Sequence, residues 1–209
     1  VLISMTDLGM GLDILASFLP GDRLLYALYD EPQEVLRVLK ELDALWVRYY
    51  RELEAAMQPY NPGYSDWAGL YSQTPFYTLQ SDFSYMIGTP MFEEFAKPFL
   101  ANQCRFLARS IYHLDGKGQL AHLDALLSIE DLDGVQWIPG DGQPGMAHWP
   151  EVYRKIRAAG KKVQLFGDTD ILAAVAQQTG SATGIAIAAD LGWVPDTKEI
   201  TACMRGFGV

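Results

Sequence analysis

His113 and Asp115 stand two residues apart in Ser110-Ile-Tyr-His-Leu-Asp-Gly116, a short apolar run that the glycine ends. Alternate residues of a strand share a face, so the imidazole and the carboxylate project to one side at the strand's end. Such a pair can hold a divalent metal or pass protons. Other apolar runs also lead into polar groups: Thr6 and Asp7 after residues 1–5, and Gln80, Ser81 and Asp82 after 76–79. Gln136 lies in the run 134–138, with Asp141 and Gln143 in the loop behind it, and Asp168 and Asp190 follow two later runs. Asp82 joins His113 and Asp115 as a catalytic candidate, and Asp7, Ser81, Gln136, Asp141 and Gln143 are candidate substrate contacts. Asp168 and Ser81 equally suit the caps of the helices they precede. The loop Gly140-Asp-Gly-Gln-Pro-Gly145 has the composition of an anion cradle, or of a plain turn. His122 and His148 fit packed or loop positions better than ligand positions.

The elements that must position these groups alternate along the chain. Residues 1–5 have a buried-strand pattern, 13–18 are helical, and Pro20-Gly21 closes that helix. Asp30-Glu31-Pro32 marks the start of a long amphipathic helix to about Met57. Its apolar stripe includes Trp46, Tyr49 and Tyr50, which are core or dimer contacts. An aromatic segment (Tyr60, Tyr64, Trp67, Tyr71, Phe76, Tyr77) runs into a strand at 76–80, and it would pack on the domain or roof its cavity. Thr89-Pro90 opens a helix drawn through Arg109. Strands at 111–114, 134–138, 162–166 and 184–188 then alternate with helices at 118–127, 150–159, 169–178 and 198–204. Repeated strand–helix units make an α/β fold with a parallel sheet. Compact late units and the lack of a glycine-rich dinucleotide fingerprint favour a (β/α)8 TIM barrel over an open doubly wound sheet. Six of eight units are visible, so the expectation is one partial barrel domain over residues 1–209, with its N-terminal part upstream of Val1.

The composition narrows the function. The chain of 209 residues is 49% hydrophobic and carries a formal charge of -10, with acidic residues scattered rather than clustered. That length and apolar content can bury a sizeable core. The charge argues against nucleic acid and anionic membranes, both of which need basic patches. No apolar run approaches the ~20 residues of a membrane span, and Cys104 and Cys203 form no disulfide framework. A cytoplasmic protein acting on a small molecule, with homo-oligomerisation open, is the expectation.

Four segments, in order, resemble the uroporphyrinogen decarboxylase superfamily. They are the Asp30-Glu-Pro-Gln-Glu-Val helix start, Ser81-Asp-Phe-Ser-Tyr-Met-Ile-Gly-Thr-Pro, Tyr112-His-Leu-Asp-Gly and Leu132-Asp-Gly-Val-Gln-Trp-Ile-Pro. The resemblance runs from about Ile3 to Thr197 and implies the later six strands of the family barrel. It also implies one of two chemistries. One is cofactor-free decarboxylation of a porphyrinogen. The family tyrosine falls near Ser17 and its late histidine near Leu191, so neither is kept. The other is methyl transfer between a partner corrinoid (cobalamin) protein and a thiol or similar acceptor, with zinc or another divalent metal activating the acceptor. The family's histidine ligand matches His113, while Asp115 and Leu191 stand at or near its cysteines, and Cys203 lies too far downstream to replace one. The implied ligand set is His113 and Asp115, completed by Asp190 or Asp82, a more oxygen-rich site than the thiolate one. Methyl transfer is the leading expectation, decarboxylation the second, and a non-catalytic barrel partner that has lost its ligands the third.

Overall fold

The computed structural model describes residues 2–19, 21–189 and 196–206. Strands β3 (Phe76–Gln80), β4 (Arg109–Asp115), β5 (Gly134–Ile138), β6 (Lys162–Gly167) and β7 (Ile185–Ala189) form a five-stranded parallel sheet in strictly sequential order. Two short strands, β1 (Tyr64–Ser65) and β2 (Tyr71–Ser72), pair antiparallel. The chain divides into two compact units, residues 1–113 with 118–132, and residues 114–117 with 133–209.

In the first unit, α1 (Gly11–Phe18), α2 (Arg23–Asp30) and α3 (Pro32–Met57) precede β3. Proline at the start of α3 costs no hydrogen bond and presets its helical φ. Helix α3 buries Val35, Leu39, Trp46 and Tyr50, and Trp46 packs edge-on to Tyr77 of β3 at 5.3 Å. The Tyr50 hydroxyl donates to the Phe76 carbonyl and accepts from the Phe76 N–H, tying the helix to the first residue of β3. Tyr49 of the expected stripe is exposed instead, because 3.6-residue periodicity carries it off the buried face.

Three expected elements differ. Of the expected first strand, the described residues 2–5 form no strand of the sheet, and Met5 makes an isolated bridge to Asp66. The Asn61 side chain serves both the N–H and the C=O of Ile3, doing the work of a neighbouring strand. The helix expected from Thr89 to Arg109 is two, α4 (Thr89–Phe95) and α5 (Lys97–Phe106), and Arg109 already belongs to β4. Pro98 explains the break, since its ring clashes with the preceding turn and it offers no N–H. The helix expected at 118–127 is a 3-10 turn, Lys117–His122, followed by α6 (Leu123–Leu127). Helix α2 was not anticipated.

In the second unit, α7 (Pro150–Ala158) precedes β6 and α8 (Thr169–Thr179) follows it, close to the expected bounds. Trp137 of β5 and Leu165 of β6 are fully buried, as are Gln136 and Gln164, which pair in register. Asp168 caps α8 by accepting from the N–H groups of Asp170 and Ile171, and Gly180 ends it in the left-handed conformation. Helix α9 covers Thr197–Gly206.

Candidate metal centre at the exits of two strands

Strand β4 carries His113 and Asp115 at its end, as their spacing predicts. In-register residues of neighbouring parallel strands share a face, so His113 lies on the same face as its partner Gln80 of β3, and Asp115 follows two residues on. Gly116, at φ +80°, ends the strand in a conformation that suits glycine. Two residues beyond Gln80 the chain enters a 3-10 turn, Asp82–Met86, whose first residue supplies a second carboxylate. One potential ligand atom from each of Asp82, His113 and Asp115 lies within 4.8 Å of the other two. Asp82 is exposed and the other two are half-buried.

This donor set suits a divalent cation. One nitrogen and two carboxylate oxygens at bonds of ~2.1 Å would stand roughly 3.4 Å apart around a tetrahedral ion, a closure that side-chain rotations can supply. Two carboxylates balance a divalent charge, and three protein ligands leave a position for substrate. Asp190, expected as the third ligand, lies outside the described residues, as does Leu191. Asp82, expected as a catalytic carboxylate and as the alternative to Asp190 in the shell, is the group that lies with His113 and Asp115.

The surroundings hold the centre in place. The Trp67 ring stands edge-on to the His113 ring at 5.1 Å, and its indole N–H donates to the Thr78 carbonyl of β3. Of the other residues of the aromatic segment, Tyr60 and Tyr71 are exposed and Phe76 and Tyr77 are buried in β3. Asp66, buried next to Trp67, accepts from the N–H groups of Thr78 and Ala68, and burial pushes its carboxyl above the usual range. Asp7 accepts from the Gly9 N–H, the Tyr77 hydroxyl and the Gln80 amide, so the first segment is latched to β3 at this end.

Asp13 of α1 is the residue that sequence reasoning did not single out. Its carboxylate accepts from the N–H groups of Asp82 at 3.1 Å and Phe83 at 2.7 Å. Burial pushes its pKa up to about 6, with the carboxylates of Asp82 and Asp7 adding to the rise and the two N–H bonds opposing it. Tyr112, fully buried on the other face of β4 from His113, donates to Gln119. Burial, and then the carboxylates of Asp13 and Asp82, hold its phenol protonated well above the ordinary range. The sequence offered only one signal for Asp13, an acid in the first turn of an apolar helix, and that is as common in caps as in sites.

Of the remaining candidates, Ser81 is buried, and its hydroxyl accepts from Ser84, so it belongs to the turn. Gln136 is buried within β5. Asp141 and Gln143 lie in an exposed loop where Asp141 accepts from the Gly142 N–H. His148 is exposed and bonds the Gly145 carbonyl. His122 is buried, stacked on Phe92 at 4.5 Å, and its Nε2–H donates to the Ser84 carbonyl. Cys104 is buried. No helix among the described residues is long and apolar enough to cross a membrane. No family model, curated protein or solved structure matches this chain.

Proposed function

We propose that this chain is a metal-assisted methyltransferase of the uroporphyrinogen decarboxylase type, built on a (β/α)8 barrel. The observation that carries the reading is the convergence of Asp82, His113 and Asp115 at the C-terminal ends of two parallel strands. Catalytic groups of barrel enzymes stand at those ends. The sequential strand order supports the barrel, because doubly wound sheets reverse their order part-way across. The methyl donor would be a corrinoid protein and the acceptor a thiol or hydroxyl.

A divalent ion bound there would supply Lewis acidity that lowers the acceptor's pKa. His113 and Asp115 provide two ligands fixed on one strand, and Asp82 closes the set from the neighbouring exit. Trp67 screens the His113 ring and keeps it facing the site. The acceptor gives up its proton to solvent, its sulfur or oxygen bonds the methyl carbon, and the electron pair of the broken bond stays with the carrier.

Metal analysis, together with methyl-transfer assays on the native chain and on His113→Ala and Asp115→Ala, tests the proposal. Bound metal in the native chain, lost with activity in both variants, is the expected result. A native chain without metal, or variants with full activity, overturns it. Turnover of uroporphyrinogen would favour the decarboxylase chemistry instead.

A further inference from the structure

Asp82 sits on a turn of five residues, and the way that turn is held is unusual. Serine is a preferred cap, yet Ser81, at the cap position, makes no side-chain bond to the turn's first N–H groups. Its hydroxyl is engaged by Ser84 at 2.8 Å instead. The capping duty falls to Asp13, 69 residues away in sequence, which takes the Asp82 N–H on Oδ2 and the Phe83 N–H on Oδ1. From the other side, His122 Nε2–H donates to the Ser84 carbonyl at 2.9 Å. Because a carbonyl can only accept, the proton is on Nε2. The His122 Nδ1 is buried with no hydrogen-bond partner. The turn is therefore gripped through its own backbone by two side chains from distant segments.

We propose that Asp13, backed by His122, is a positioning residue that sets Asp82 for metal binding; the inference rests on the reading of Asp82, His113 and Asp115 as the metal centre. A cap needed only for stability would fall to Ser81, which is adjacent and needs no buried charge. A half-buried carboxylate close to two others is a costly way to bond two N–H groups. What it adds is geometry, because both bonds end at the ligand residue and its neighbour, fixing the direction in which Asp82 leaves the strand. Groups that orient metal ligands change affinity by roughly 10- to 100-fold when removed.

The test is titration of the full chain with cobalt(II), followed by its visible absorption, for native protein, Asp82→Asn, Asp13→Asn and Asp13→Leu. Amide hydrogen exchange at residues 82 and 83 is measured on the metal-free proteins. Asp82→Asn should lose binding. Asp13→Leu should bind roughly 10- to 100-fold more weakly, with faster exchange at both amides. Asp13→Asn, whose amide oxygen can keep the Phe83 bond, should fall between it and native protein. Native affinity in Asp13→Leu, alongside loss in Asp82→Asn, overturns the positioning role and leaves the metal centre standing. A native chain that takes up no cobalt overturns both. Should Asp13→Leu fail to fold, native affinity and native exchange in Asp13→Asn overturn the inference.

Discussion

The exits of β3 and β4 and the exits of β5 and β6 begin from the same kind of sequence, an apolar run followed by polar residues, and end differently. At the first pair, Asp82, His113 and Asp115 bring ligand atoms within 4.8 Å of one another. At the second pair, Asp168 spends its carboxylate on two N–H groups of α8, and Asp141 turns back onto the N–H of Gly142. A carboxylate at a strand end is drawn first to the nearest unpaired N–H groups. At the turn that carries Asp82 a distant residue, Asp13, takes the N–H groups of Asp82 and Phe83, whereas at the start of α8 Asp168 takes the N–H groups of Asp170 and Ile171 itself.

Four experiments would break or sharpen this contrast. The largest effect belongs to packing: Trp137→Ala in β5, a fully buried ring, should cost about 3–5 kcal/mol in urea unfolding. It should do so without removing a ligand. His113→Ala should do the reverse, leaving stability nearly unchanged while metal affinity, followed by competition with a chromophoric chelator, falls by more than ~100-fold. Equal effects of both variants on metal affinity would remove the distinction between the two regions.

The third experiment uses pH. The pKa of Asp13 in the folded chain is raised from 3.8 to about 6, so the folded protein keeps a proton that the unfolded chain releases. The resulting stability is present below about pH 4 and lost as pH rises through about 6. With chelator present, native protein should lose on the order of 2 kcal/mol relative to Asp13→Asn between those limits. Parallel stability profiles for the two proteins would refute this. The smallest effect is expected at the other exit, where Asp168→Ala should cost about 1 kcal/mol, the usual worth of a helix cap. Its metal affinity should match that of native protein, and a weakened one would place Asp168 in the site after all.

The alternation of short apolar runs with helical stretches was enough to expect a parallel α/β sheet, and β5 has the bounds drawn for it. The same reasoning drew one helix through Pro98, where the ring breaks it, and a strand at residues 1–5, where Met5 alone of the described residues bridges. Periodicity records which face is apolar and says nothing about whether a neighbour is there to pair with.

For the site, the i, i+2 spacing of His113 and Asp115 on one strand determined their shared face, because the pleat repeats every two residues. Local sequence also placed Asp82 at a strand exit. Only the tertiary structure decided that Asp82 meets the other two, that Trp67 covers His113, and that Asp13 holds the turn. Those contacts join segments up to 70 residues apart. Such pairings depend on how the helices and strands pack, and no local spacing encodes them.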